Sequence, residues 1–182
     1  MSILFYFNRN KNTKFPRISS LNSIQIKYIM EKTLVMIKPS AIQRGLIGEV
    51  IHRFENKGLQ ICGVKMMQLD DAILDEHYAH LAGRSFFKRI KDSMMITPVI
   101  LICIKGMNAV KIVHHMAGST HGKDAALGTI RGDFSVSIQQ NIIHTSDSLE
   151  TAETELARFF KKEEIFEFTQ SGLDYLYAND EL

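Results

Sequence analysis

Residues 33–67 read TLVMIKPSAIQRGLIGEVIHRFENKGLQICGVKMM, and this stretch decides the fold of the chain. The apolar run TLVMIK is typical of a β-strand that ends before Pro39. Ser40 and Gln43 have the spacing of a capping box, which predicts a helix start. Apolar residues then recur every four positions, and Gly58 closes the predicted helix. The final nine residues, LQICGVKMM, predict a second strand.

Downstream of this β-α-β unit, strands and helices continue to alternate. Helices are predicted at 70–81, 85–94, 107–118 and 148–160, and strands at 98–106 and 134–138. The last strand, FSVSI, alternates apolar and polar residues, as a strand with one wet face does. A glycine-punctuated loop precedes it. This order predicts the α+β class: a ferredoxin-like βαββαβ sandwich whose antiparallel sheet is covered by helices on one side, plus a long glycine-rich loop.

Composition suits one compact domain with a buried core. The chain has 182 residues, 45% of them hydrophobic and 23% charged, and no apolar run is long enough to span a bilayer. Cys62 and Cys103 lie in apolar runs, which predicts reduced core thiols rather than a disulfide or a metal site. We therefore expect a cytoplasmic protein without a membrane partner.

Residues 1–30 differ from the rest of the chain. They carry five basic side chains and no acidic one, so the formal charge of +2 leaves −3 for residues 31–182. That acidic balance does not favour nucleic acid as the main partner. Three interpretations of residues 1–30 stay open: a disordered arm, an organelle-targeting presequence, or a translation start placed too far upstream. We predict a disordered or targeting extension over 1–30 and a folded domain over 31–182.

Several partial motifs fail to support other functions. GSTHGKD at 118–124 is one spacer short of a Walker A motif and has Asp in place of Ser or Thr. RGDFSVSI at 131–138 lacks the stacking aromatics of an RNA-binding signature. Two histidine pairs lack a third ligand at metal spacing, so we predict surface histidines and no protein-held metal. These pairs are His77 with His80 and His114 with His115.

Cations and hydroxyls near the first strand and in the loop have the composition of a phosphate clamp. Lys38 follows the first strand, and the loop 118–133 adds Thr120, Lys123, Thr129 and Arg131 among glycines. Each stretch alone is more typical of a solvated surface. NIIHTSDS at 141–148 then places an imidazole between an apolar segment and a predicted helix start.

Four stretches together resemble one enzyme family. KTLVMIKPSAIQRGLIGEVIHRFENKG, EHYAHL, GTIRGDF and NIIHTSDS with its following helix are similar to nucleoside diphosphate kinases, in family order, from Glu31 to about Tyr177. The resemblance implies transfer of the γ-phosphate of a nucleoside triphosphate to a nucleoside diphosphate, by a ping-pong route through phosphohistidine. It also implies Mg²⁺ held mainly by the nucleotide phosphates, and a homo-oligomer, either a hexamer or a tetramer.

The resemblance also assigns roles to individual residues. His144 is expected to be the nucleophile, because neutral imidazole is nucleophilic near pH 7, and Lys38 and Ser146 are expected to assist it. Helical geometry does not choose between Glu153 and Glu155 as the group that orients His144, but the resemblance selects Glu155. The expected nucleotide-binding residues are Lys38, Thr120 and Arg131 at the phosphates, Asn141 at the sugar, Phe86 at the base, and Tyr78 and His114 in the same pocket.

Three positions depart from the family pattern. His114 stands where a phosphate-binding arginine is usual, and loss of one charge-assisted contact, worth about 1.5–3 kcal/mol, lowers activity roughly ten- to a hundredfold. Thr145 replaces a glycine, which strains the turn if a positive φ is needed there. Leu127 replaces a proline, which predicts a less rigid loop. Two alternatives follow: a nucleotide-binding regulatory relative with impaired catalysis, or a ferredoxin-like module that binds partners or nucleic acid.

Overall fold

A computed structural model describes residues 30–178 and residue 181. The predicted extension over 1–30 therefore lies outside the described residues, except for Met30, which begins the first strand. The strands are β1 Met30–Ile37, β2 Gln60–Met67, β3 Val99–Met107 and β4 Ile143–Thr145. The helices are α1 Pro39–Ile42, α2 Ile47–Asn56, α3 Asp71–His77, α4 Phe87–Met94, α5 Ala109–Ala117, α6 Ile130–Phe134 and α7 Leu149–Phe159.

The strands form one antiparallel sheet in the order β2-β3-β1-β4. β1 pairs with β3 from Met30 opposite Met107 to Ile37 opposite Ile100. On its other side β1 pairs with the short strand β4, which places His144 opposite Met36. This order and these directions confirm the predicted ferredoxin-like α+β sandwich. In the part of the chain that the structure describes, no helix is long and apolar enough to cross a bilayer.

Helices cover both faces of the sheet, so the prediction of helices on one side is wrong. Val35 and Ile37 of β1 face a core that α2 and α5 close, while Leu34 and Met36 face a second core closed by α3, α4 and α7. All four side chains are 0% exposed. The run LVMI has no polar alternation because both of its faces are buried.

The predicted strand FSVSI at 134–138 is also wrong. Phe134 ends α6, and Val136 and Ile138 are 89% and 53% exposed. The Ser135 hydroxyl is 3.1 Å from the Ser137 carbonyl oxygen and 3.0 Å from that of Gln140. Such local side-chain contacts compete with strand pairing. The fourth strand is instead the segment that contains His144.

The predicted capping box does not form. α1 begins directly after Lys38, without a side-chain cap, and the buried hydroxyl of Ser40 has no hydrogen-bond partner among the described residues. Pro39 occupies the first helical position, where its missing N–H has no consequence. A turn through Gly45, at φ +67°, separates α1 from α2, so the predicted single helix is two helices.

Candidate active site

One cavity of about 450 Å³ collects most of the residues singled out in the sequence. It lies where Lys38 follows β1, beside β4, α4, α5 and the loop before α6. Its predicted lining residues are Lys38, Tyr78, Phe86, His114, Thr120, Arg131, Asn141 and His144. Ser146 and Glu155 do not line the cavity; both are buried.

The carboxylate of Glu155 forms a hydrogen bond with the ring of His144. Its Nε2 lies 2.7 Å from Glu155 Oε1, and the Ser146 hydroxyl donates to Glu155 Oε2 at 2.7 Å. Burial alone would raise the pKa of Glu155, but hydrogen bonds from His144 and Ser146 bring it below its usual value. Glu155 is therefore ionised at pH 7 and orients the ring, which leaves Nδ1 of His144 available to a substrate. Glu153, the alternative on the same helix, is exposed.

Backbone strain occurs at Ile142, two residues before His144. This buried, β-branched residue has φ +74°, a conformation that costs roughly 1–2 kcal/mol for an L-residue. Its carbonyl oxygen accepts a hydrogen bond from the Lys38 backbone N–H at 2.8 Å. Thr145 belongs to β4 and needs no positive φ, so the strain considered at that position does not arise.

Lys38 and Asn141 form a polar chain along the cavity wall. Lys38 Nζ donates to Asn141 Oδ1 at 2.6 Å, and Asn141 Nδ2 donates to the Thr120 carbonyl oxygen at 3.0 Å. Burial, with a smaller contribution from the Arg131 cation, lowers the pKa of Lys38 to about 7. A bound anion would restore the charged form, because an opposite charge nearby favours it.

Arg131 joins the loop to the β4 segment. Its three nitrogen atoms donate to the carbonyl oxygens of Gly118 at 2.7 Å, Ile143 at 2.9 Å and Asn141 at 3.3 Å. Burial lowers the pKa of Arg131 to about 10, so it is a cation at pH 7. A guanidinium has five N–H groups, so the remaining ones can meet a ligand.

Part of the cavity lining is apolar. Phe86 and Ile138 both line it and are 37% and 53% exposed. Tyr78 is buried, and burial raises the pKa of its phenol, which stays protonated. Sequence reasoning missed Ile138, Arg89 and Gln139. Ile138 was assigned to the wrongly predicted strand, and Gln139 directly follows it in an irregular segment.

His114 lies on the exposed side of α5 and also lines the cavity. Its Nδ1 is 3.4 Å from the Thr145 hydroxyl, so the two departures from the family pattern are neighbours. Thr145 therefore supplies a hydroxyl that glycine would lack, although it adds no charge. Leu127, the third departure, is 87% exposed and lies outside this cavity.

His77 contradicts the prediction of a surface histidine: its side chain is only 1% exposed. It approaches His144 and Glu155 so that one ligand atom of each lies within 4.8 Å of the others. Two ligands of a tetrahedral ion bound at 2.0–2.1 Å would stand about 3.3 Å apart. The 2.7 Å between His144 Nε2 and Glu155 Oε1 is a hydrogen-bond distance instead. The cluster thus orients an imidazole and does not fit a preformed ion site.

The fold and the cavity define an α+β protein in which Lys38 and Arg131 line a cavity beside an imidazole that a carboxylate orients. Residues 31–165 match the family model of nucleoside diphosphate kinase. A nucleoside diphosphate kinase of Parabacteroides distasonis is 59% identical over 152 residues, which cover 84% of this chain and 99% of the relative. One of Pyrococcus horikoshii is 49% identical, over 81% of this chain and 95% of the relative.

Solved structures agree with these relatives. A halophilic nucleoside diphosphate kinase from Halobacterium salinarum, in complex with CDP, superposes with a TM-score of 0.80 at 37% identity. The match covers 81% of this chain and 99% of that one. A family protein from Babesia bovis gives a TM-score of 0.78, also at 37% identity. The chain belongs to the nucleoside diphosphate kinase family, which confirms the predicted family and the predicted transferase class.

Proposed function

We propose that this chain transfers the γ-phosphate of a nucleoside triphosphate to a nucleoside diphosphate through a phosphohistidine at His144. The observation that carries the proposal is the 2.7 Å contact between His144 Nε2 and Glu155 Oε1. It fixes the proton on Nε2 and leaves the Nδ1 lone pair for phosphorus, on a residue that lines a cation-bearing cavity.

The reaction divides into two displacements. In the first, the Nδ1 lone pair of neutral His144 forms a bond to the γ-phosphorus, and the bond from that phosphorus to the bridging oxygen breaks. The nucleoside diphosphate leaves with that electron pair, and the positively charged ring is stabilised by Glu155. In the second, a terminal oxygen of another nucleoside diphosphate attacks the phosphorus, and the N–P electron pair returns to Nδ1.

Positioning and charge supply most of the rate in phosphoryl transfer. We assign Lys38, Arg131 and Thr120 to the phosphates, with His114 at their edge. We assign Asn141 to the sugar, together with Lys38, whose Nζ donates to Asn141 Oδ1 at 2.6 Å. Phe86, which lines the cavity as Ile138 does, offers a face for the base. Stacking tolerates every base, which suits a broad nucleotide range.

Mg²⁺ fits this cavity as a companion of the nucleotide. Asp147 is the one carboxylate among the described residues that line the cavity, too few oxygen ligands for an all-protein magnesium site. Asp147 would hold the ion together with the nucleotide phosphates. When bound, Mg²⁺ neutralises phosphate charge and orients the transferred group.

Transfer of labelled phosphate tests the proposal. Incubation with γ-labelled ATP should label the protein in an acid-labile, base-stable form, and GDP should remove the label as labelled GTP. His144→Ala should abolish both steps, whereas His52→Ala, at an exposed histidine on α2, should retain them. Label retained by folded His144→Ala would contradict the assignment.

A nucleotide-binding regulatory relative with impaired catalysis is the second candidate. It is favoured by one observation: His114, which lines the cavity, offers an imidazole rather than a guanidinium. Tight ATP binding by calorimetry, without measurable transfer to GDP, would support this candidate over the first.

We also propose a homo-oligomer, hexamer or tetramer, in the cytoplasm. Val64 and Met66 on the edge strand β2 are 51% and 58% exposed, and Tyr175 in the C-terminal segment is 93% exposed. Apolar side chains of this size on a strand edge favour contact with another copy. Multi-angle light scattering measures the subunit number, and cell fractionation tests the location.

A further inference from the structure

His77 is a buried polar residue to which the proposed reaction gives no role. It is the last residue of α3, and neither of its ring nitrogens has a hydrogen-bond partner among the described residues. Leaving such a group unpaired costs about 1–3 kcal/mol. An apolar ring would stabilise this position better, so the imidazole requires another explanation.

The His77 ring lies against both members of the His144–Glu155 pair. Its centroid is 4.6 Å from that of His144, with the ring planes at 80°. Its Nδ1 is 3.5 Å from Glu155 Oε1, the oxygen that also contacts His144 Nε2. The rings of Tyr78 and Phe159 close two further sides at 4.6 and 5.2 Å. His77 is thus confined beside the oxygen that orients His144.

At pH 7, His77 is neutral and can donate a single N–H. Its pKa is lowered to about 3, mainly by burial; His144, Arg158 and His80 act in the same direction, and Glu155 opposes them. A neutral imidazole with its proton on Nδ1 would point a donor at Glu155. The 3.5 Å separation must shorten by roughly 0.3 Å to reach hydrogen-bond range.

We propose that His77 is a positioning residue that shares Glu155 Oε1 with His144. It thereby sets how much electron density the carboxylate donates to the His144 ring. This inference rests on the proposed function. With His144 as the single donor on Oε1, the carboxylate, which also accepts from Ser146 at Oε2, pushes more electron density into the imidazole. The ring then becomes a better nucleophile in the first displacement and a poorer leaving group in the second. A second donor on the same oxygen therefore balances the two half-reactions.

Variants at His77 separate this role from simple packing. His77→Phe keeps an aromatic ring and removes the donor, and His77→Leu is a second donor-free variant in case the first does not fold. His77→Asn keeps an N–H near the position of Nδ1. His52→Asn, on α2 at the other face of the sheet, is the matched control for a helical histidine.

Rapid-quench kinetics on the full chain measure each half-reaction. We expect His77→Phe to slow phosphate transfer from the phosphoenzyme to GDP about tenfold, the effect of one hydrogen bond to a charged group. ATP should phosphorylate it at least as fast as the parent, so phosphoenzyme accumulates. The KM for GDP should stay unchanged, because His77 does not line the cavity. His77→Asn should recover transfer to within about threefold of the parent.

Titration of the His144 ring by ¹⁵N NMR gives a readout that needs no turnover. Removing the competing donor should raise the pH at which His144 protonates, in His77→Phe and His77→Leu but not in His77→Asn. The role of His77 would be overturned if the donor-free variants matched the parent in the rate of each half-reaction and in the titration of the His144 ring. A parent that is never phosphorylated would instead overturn the proposed function, and the titration would still test His77.

Discussion

His114 gives the cavity an exposed imidazole at the edge of its cationic surface. The ring meets the Thr145 hydroxyl at 3.4 Å, and its neighbour His115, also exposed, does not line the main cavity. A guanidinium binds phosphate through two parallel N–H groups and stays charged at every physiological pH, whereas an imidazole does neither. We therefore expect the side chain at position 114 to limit how well the proposed nucleotide phosphates are bound.

His114→Arg should raise kcat/KM for ATP by about tenfold or more, since a charge-assisted contact is worth about 1.5–3 kcal/mol. Steady-state transfer to GDP measures the gain. His115→Arg adds the same charge one residue away and should leave kcat/KM within about twofold. No gain from His114→Arg would show that other loop residues already supply the contact.

The lowered pKa of the Lys38 ammonium predicts how activity depends on pH. Its pKa is lowered to about 7, so in the free enzyme its charge is present below that pH and is lost as pH rises through it. We therefore expect kcat/KM for ATP to fall above pH 7, while kcat falls at higher pH because bound phosphate favours the ammonium. Lys38→Arg, which stays charged, should remove this fall. A profile that is flat for the parent between pH 6 and 9 would contradict the assignment.

At the scale of elements, the loop before α6 is joined to β4 through Arg131. Lysine carries the charge but cannot reach the three carbonyl oxygens that the guanidinium binds. We expect Arg131→Lys to lower the free energy of unfolding by about 1–3 kcal/mol, together with kcat/KM. Urea denaturation measures the first effect, and Arg84→Lys, at an exposed arginine, is the control. Unchanged stability would mean that the loop does not depend on these bonds.

The elements also show what the sequence could predict. TLVMIK and LQICGVKMM are apolar enough to identify β1 and β2 without tertiary information. FSVSI has the same local signal as a strand, but its serines bind nearby carbonyls and β4 takes the place beside β1. The predicted capping box failed because Pro39 is already the first helical residue, which makes Lys38 the N-cap, two residues before Ser40. Local sequence patterns do not reveal which of two candidate segments pairs with a neighbouring strand of the sheet.

The site was predictable where a motif surrounds the residue. NIIHTSDS identified His144 as a candidate nucleophile, and family resemblance chose Glu155 over Glu153, which the structure places on the exposed side of α7. His77 was expected on the surface because no local pattern shows that α3 turns its last residue beneath β4. Burial of a lone histidine is set by the packing of helices far apart in sequence.

At the scale of the whole molecule, both cysteines lie in the core between the sheet and α7. Burial raises the pKa of Cys62, and raises that of Cys103 to about 12, so neither is a thiolate at pH 8. We expect neither thiol to react quickly with a disulfide reagent in the native protein, and both to react after denaturation. Rapid labelling of either thiol in the native state would contradict this packing.

The phosphorylated nitrogen of His144 is the most direct test of the account. ³¹P NMR of the protein after brief exposure to ATP should show a single phosphohistidine signal, and two-dimensional correlation to the ring should place the phosphorus on Nδ1. Phosphorus on Nε2, the nitrogen bound to Glu155, would contradict the proposed geometry, and so would a phosphoserine at Ser146.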